Sequence, residues 1–116
     1  AQMTGGMAAG RPYRSGGLCI DFDRRLVTVE GKPVHLTQVE FKIVSFLAAN
    51  SGRVMTYVAI ISHVWVPYAD DNNRILRDNM ANIRRKLEQN PAQPQYVFTE
   101  IGVGYRMREN ENGGTV

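Results

Sequence analysis

Four arginines, two asparagines and an aspartate share the stretch Arg74-Ile75-Leu76-Arg77-Asp78-Asn79-Met80-Ala81-Asn82-Ile83-Arg84-Arg85-Lys86-Leu87. The chemistry open to them is recognition rather than bond-making. A guanidinium fork pairs with two phosphate oxygens or with guanine O6 and N7, and a carboxamide pairs with adenine N6 and N7. At 100° per residue, Leu76, Met80, Ile83 and Leu87 form one narrow apolar stripe, while Arg74, Asp78, Ala81, Asn82 and Arg85 point the other way. Arg77, Asn79 and Arg84 fall on the shoulders, where a helix lying in a groove meets sugar-phosphate walls rather than base edges. Ala81 is small and central and permits close approach. A solvated face is the ordinary use of such a helix, so the neighbouring elements must decide.

Charge distribution points the same way. The chain has 116 residues and a formal charge of only +3. From Arg74 to Arg108, however, seven Lys/Arg stand against three acids, and the remainder is slightly acidic. A cation-rich last third suits a local polyanion, bound with strong salt dependence. The 43% apolar content and the length fit one globular domain. The single cysteine, Cys19, rules out an internal disulfide and reads as a small buried side chain, in keeping with a reducing cytoplasm. No apolar run approaches the ~20 residues that span a bilayer, so neither a membrane segment nor a secretory leader is expected.

The elements that must carry the basic helix follow from periodicity. Residues 1–17 are rich in Gly, Ala and Met without a hydrophobic period, and Met3-Thr4-Gly5-Gly6 resembles an expression-tag remnant; they read as a flexible linker outside the fold. Residues 18–108 form the expected domain and 109–116 a flexible tail. Leu18–Asp23, Leu26–Glu30 and Pro33–Leu36 predict three short antiparallel strands. Thr37-x-x-Glu40 is a capping box opening a helix with Val39, Ile43, Phe46 and Leu47 inward. A second helix starts after Thr56, buries Val58, Ile61, Val64 and Trp65, and stops before Pro67. After the basic helix, Tyr96–Glu100 and Tyr105–Met107 predict a hairpin across Ile101-Gly102-Val103-Gly104, whose glycines supply positive φ. Gly-x-Gly here lacks the following helix that a phosphate cradle requires.

These parts add up to an α+β winged helix-turn-helix: an N-terminal antiparallel sheet, three helices and a C-terminal hairpin wing. On Leu36-Thr37-x-x-Glu40-Phe41, Asn50-Ser51-Gly52-Arg53-Val54, Val64-Trp65, Arg84-x-Lys86-Leu87 and Thr99-Glu100-x-Gly102-Val103-Gly104-Tyr105-Arg106, the chain resembles the DNA-binding effector domains of OmpR/PhoB-type response regulators. Trp65-x-Pro67 and the stretch Lys86 to Pro94 are most similar to the branch that controls potassium-uptake operons. The resemblance implies a four-stranded N-terminal sheet, one strand more than alternation delimits. It also implies a receiver domain and a sensor kinase in the full-length system.

The resemblance further implies that helix 74–87 enters the DNA major groove, with Asn82, Arg85 and Asp78 as candidate base contacts. Trp65, Arg74, Arg77, Asn79, Ala81, Arg84 and Thr56 become candidate backbone contacts; Arg77 replaces an acid common in the family, and Thr56 serves equally as an N-cap. In the wing, Thr99 and Arg106 are candidates, with Arg108 beside them, while Ile101 stands where relatives often carry an arginine. Asp70 and Asp71 lie in the segment that in relatives touches RNA polymerase or its sigma subunit. Lys86 reads as a solubilising residue and Tyr105 as core. His35 and His63 lack neighbours at metal spacing, so no metal or cofactor is expected.

Double-stranded promoter DNA in tandem half-sites is the implied partner, with an isolated domain expected to be monomeric. Polar residues spread over a helix face and a hairpin do not make a catalytic constellation. Two alternatives stay open: a winged-helix protein-interaction module that has lost DNA binding, and the cytoplasmic part of a membrane-anchored one-component regulator.

Overall fold

The computed structural model describes residues 11–65 and 73–111. A four-stranded antiparallel sheet comes first: β1 (Tyr13–Ser15), β2 (Leu18–Asp21), β3 (Leu26–Val29) and β4 (Lys32–Pro33), in that spatial order. Leu18 and Ile20 point into the core and Cys19 lies half-buried on the other face, as a two-residue period requires. β4 is shorter than the predicted Pro33–Leu36, because the chain leaves the sheet at Pro33 to reach the cap of the first helix.

The strand that alternation does not delimit is β1. It lies inside the stretch predicted to stand outside the fold, and Tyr13 is fully buried. Its phenol donates to the Arg108 carbonyl at 2.6 Å, and burial pushes its pKa up to about 12. Three residues between glycines give too short a period to recognise from sequence. The predicted tail is also partly engaged: Glu111 N donates to Arg14 O at 2.7 Å, Arg14 N to Asn110 Oδ1 at 3.2 Å, and Asn110 N to Ser51 Oγ at 3.2 Å. The described residues therefore extend the ordered domain beyond 18–108 at both ends.

Three helices follow. α1 (Gln38–Ala49) opens with the predicted capping box: Glu40 N donates to Thr37 Oγ1 at 3.1 Å and Thr37 N to Glu40 Oε1 at 3.0 Å. α2 (Tyr57–Val64) is N-capped by Thr56, whose hydroxyl accepts from Ala59 N at 3.1 Å. Here the predicted face is wrong at its first position. Val58 is 71% exposed, and Ile60, with Ile61 and Val64, enters the core. Ile60, not Val58, shares a face with Ile61 and Val64 at helical spacing. α3 (Arg74–Leu87) buries Leu76, Met80, Ile83 and Leu87, the predicted stripe.

A second sheet closes the fold, in the order β5-β7-β6: β5 (Val54–Thr56), β7 (Gly104–Met107) and β6 (Val97–Glu100). β5 was not predicted; it pairs Met55 with Tyr105 and Thr56 with Gly104. The turn Ile101–Val103 joins β6 to β7, with Gly102 at φ 77° as predicted. Gly104 serves another purpose: it sits inside β7, where an added Cβ would lie 1.9 Å from the Met55 carbonyl oxygen. Close approach of two backbones, rather than a positive φ, requires glycine there. One apolar cluster runs from Tyr13 through the three helices to Met107.

Candidate nucleic-acid interface

α3 presents its charged face because its apolar stripe is held by the core. Arg74 and Asp78 are exposed and stand 4.0 Å apart, one turn from each other. Ala81 and Arg85 are exposed and Asn82 is half-buried, so the predicted outward set is confirmed as a surface. Within it, Arg85 Nη2 donates to Asn82 Oδ1. Such a pair can offer hydrogen-bond donors to a base edge. Arg84, Arg85 and Lys86 occupy the last turn, where cations complement the helix dipole.

Several candidates have internal partners. Asn79 Nδ2 donates to Ile75 O at 2.9 Å, a local bond along the helix. Arg77 is exposed and lies close enough to Tyr105 to act on its phenol. Arg84, expected as a phosphate ligand, has internal partners in this structure. Half-buried, it donates from Nη2 to Val97 O at 2.9 Å and to Thr99 Oγ1 at 2.7 Å, and its guanidinium lies 5.5 Å from the Tyr105 ring centre. Burial pulls its pKa down, while Tyr105 and Glu88 oppose that shift. Burial and Tyr57 raise the pKa of Tyr105, against the charges of Arg84 and Arg77.

Lys86 is not a solubilising residue. Its Nζ lies 2.6 Å from Oε1 of Glu40, a carboxylate that is 3% exposed and also closes the α1 capping box. α1 and α3 are thus joined through one oxygen. Burial pushes the Glu40 carboxyl up, but the Lys86 hydrogen bond, the Thr37 backbone, the Lys86 charge and the Thr37 hydroxyl outweigh it, leaving the carboxyl below its usual value. A depressed folded pKa contributes stability above the unfolded value and loses it as pH falls through the folded one. Lys86→Met is therefore expected to cost about 1–2 kcal/mol near neutral pH and much less once Glu40 is protonated. Urea unfolding of both proteins over a series of falling pH checks this; a loss that stays the same down to the pH at which wild type itself unfolds would refute the pairing as its cause.

The hairpin flanks this face. Thr99 is exposed, and Ile101 at the turn is 92% exposed, with Val103 at 48%. Arg106 pairs with Glu100 at 3.2 Å and lies over Phe98 at 4.8 Å, so its charge is shared within the wing. Arg108 lies away from it, near Gly16 and 3.8 Å from Glu111. Thr56 is held as an N-cap, and Trp65 is half-buried at the α2 C-cap against the core. Asp70 and Asp71 lie outside the described residues.

Sequence reasoning passed over Glu88. It is 5% exposed and accepts from the backbone N–H groups of Gln95, Tyr96 and Val97 at 2.7, 3.0 and 2.9 Å. It fastens the end of α3 to the start of β6. The only available signal was an acid directly after the helix and before a proline-rich turn.

The architecture has close counterparts. The family profile described as "Transcriptional regulatory protein, C terminal" matches residues 31–107. The KDP operon transcriptional regulatory protein KdpE of Escherichia coli is 39% identical over 87 residues, covering 75% of this chain and 39% of that protein. The chain thus spans about two fifths of that curated relative. The response regulator DrrB of Thermotoga maritima, an OmpR/PhoB homologue, superposes with a TM-score of 0.77 at 34% identity, over 84% of this chain and 44% of that one. The Klebsiella pneumoniae RstA DNA-binding domain, solved in complex with the RstA box, gives a TM-score of 0.76 at 26% identity, over 84% and 96%.

Proposed function

This chain belongs to the OmpR/PhoB-type family of transcriptional regulatory C-terminal domains, and on that premise we propose that it binds double-stranded DNA sequence-specifically, with α3 in the major groove. The carrying observation is the division of α3 into a buried apolar stripe and an outer face bearing Arg74, Asp78, Ala81, Asn82 and Arg85. An α-helix fits the major groove, and an Asn–Arg pair on its outer face supplies both base-edge and phosphate donors. We assign base reading to Asn82 with Arg85 and phosphate contact to Arg74 and Arg77. Asp78 stands beside Arg74 at 4.0 Å, and Thr99 joins the hairpin to α3 through Arg84. Among the described residues no helix is long and apolar enough to cross a membrane.

The likeness to KdpE supports a regulator of a potassium-uptake operon, acting on tandem half-sites with a receiver domain and a sensor kinase in the full-length system. RNA polymerase or its sigma subunit is the proposed partner of the segment holding Asp70 and Asp71. A second reading, a protein-interaction module, draws on the exposed Val58, Ile101 and Val103.

Selection from a randomised duplex pool tests the proposal, followed by titration of the enriched duplex at two salt concentrations. A short repeated motif bound with steep salt dependence supports DNA reading; no enrichment at low salt favours the protein module. Asn82→Ala is expected to lose about 1–2 kcal/mol of discrimination at one or two base positions. A uniform loss across sequences would remove Asn82 from base readout.

A further inference from the structure

We propose that Arg84 is a positioning residue that locks the hairpin to α3, so that the two meet DNA as one surface. The inference rests on the DNA-binding reading above. Arg84 and Glu88, four residues apart at the C-terminal end and cap of α3, bracket one residue, Val97. Glu88 Oε2 accepts from Val97 N at 2.9 Å, and Arg84 donates to Val97 O from Nη2 at 2.9 Å and from Nε at 3.3 Å. Two residues along the same strand, Thr99 Oγ1 takes a further bond from Nη2 at 2.7 Å. Tyr105, over which the guanidinium lies, is the cross-strand partner of Thr99. One side chain from α3 therefore grips both strands of the wing, and Thr99 stands two residues from the exposed turn at Ile101.

The shape of the group matters. A planar fork with a flat face can reach two acceptors and lie against a ring, whereas an ammonium reaches one acceptor as a point charge. The Glu88 bonds and the β5 ladder fix the root of the hairpin, and Arg84 extends the hold on its angle two residues further along β6, to Thr99. Presetting that angle lowers the ordering cost of binding. Arg84 thus differs in task from Arg85, which is exposed and bonds within the outer face of α3.

The test uses the duplex enriched by selection in two lengths: one long enough to underlie both α3 and the hairpin, the other trimmed to the bases beneath α3. Wild type, Arg84→Ala, Arg84→Lys, Thr99→Val and the Arg84→Ala/Thr99→Val double variant are titrated against both over a salt series, with melting temperatures recorded. On the long duplex Arg84→Ala is expected to weaken binding about tenfold and Thr99→Val about threefold, the salt slope staying at the wild-type value because no phosphate contact is lost. Arg84→Lys falls between wild type and Arg84→Ala, and the double variant is no weaker than Arg84→Ala alone. On the trimmed duplex all bind alike. A slope reduced by about one in Arg84→Ala, with Thr99→Val unchanged, would make Arg84 a direct phosphate ligand and overturn the inference. Equal losses on both duplexes, or wild type binding both lengths equally, overturn it too. If Arg84→Ala melts too low to titrate, Thr99→Val and Arg84→Lys decide. Wild type that binds neither length refutes the DNA reading and this inference with it.

Discussion

Gly104→Ala is expected to lower the melting temperature by about 15 °C, a loss of about 3 kcal/mol or more. The methyl group would stand 1.9 Å from Met55 O, 2.7 Å from Met55 C and 2.8 Å from Thr56 Cα. All three are backbone atoms, so no rotamer change relieves the clash and β5 must separate from β7. Separation frees the ladder that fixes the root of the wing and exposes Met55 and Tyr105. Gly102→Ala is the control: its φ of +77° strains any L side chain, but nothing lies within 4 Å of the added atom. It should cost about 1 kcal/mol. Thermal unfolding followed by circular dichroism compares the two, and a Gly104→Ala melt within a few degrees of wild type would show that the strands are not in such contact.

Glu88→Ala should be comparably severe, by a different route. Three backbone N–H groups converge on a carboxylate that is 5% exposed, and alanine would leave them without their acceptor at the point where α3 hands over to β6. Orphaned buried donors cost about 1–3 kcal/mol each before relaxation, so a net loss of about 3–4 kcal/mol is expected. Glu88→Gln keeps one carbonyl oxygen but turns an NH2 group toward N–H donors, and should lose about half as much. Urea unfolding distinguishes them. Equal, small effects from both would mean that water replaces the carboxylate, and that Glu88 is not what joins α3 to β6.

Legibility followed the length of each periodic signal. The α3 stripe of Leu76, Met80, Ile83 and Leu87 is visible in full, as is the Thr37–Glu40 capping box, because both are local patterns. Tyr13 was missed because three strand residues set among glycines carry almost no period, although tertiary burial makes that residue part of the core. β5 was missed for the same reason, since Val54–Thr56 merges into the cap of α2. On the interface, a helical wheel told which way Arg84 and Lys86 leave α3, but not what stands opposite. Lys86 meets Glu40, 46 residues earlier, and Arg84 meets Thr99, 15 residues later. Neither partner can be read from spacing, and both arginine and lysine therefore looked like free surface cations.

The first sheet has an unpaired side at each end, and both sides are blocked. At β1, Arg14 has its carbonyl bonded to Glu111 N and its own N–H bonded to the Asn110 side chain. At β4, the strand is two residues long and one of them is Pro33, which has no N–H to offer. A sheet closed in this way gives an incoming chain no template for strand-by-strand growth. Resistance to ordered self-association is thus written into two tail residues and a proline.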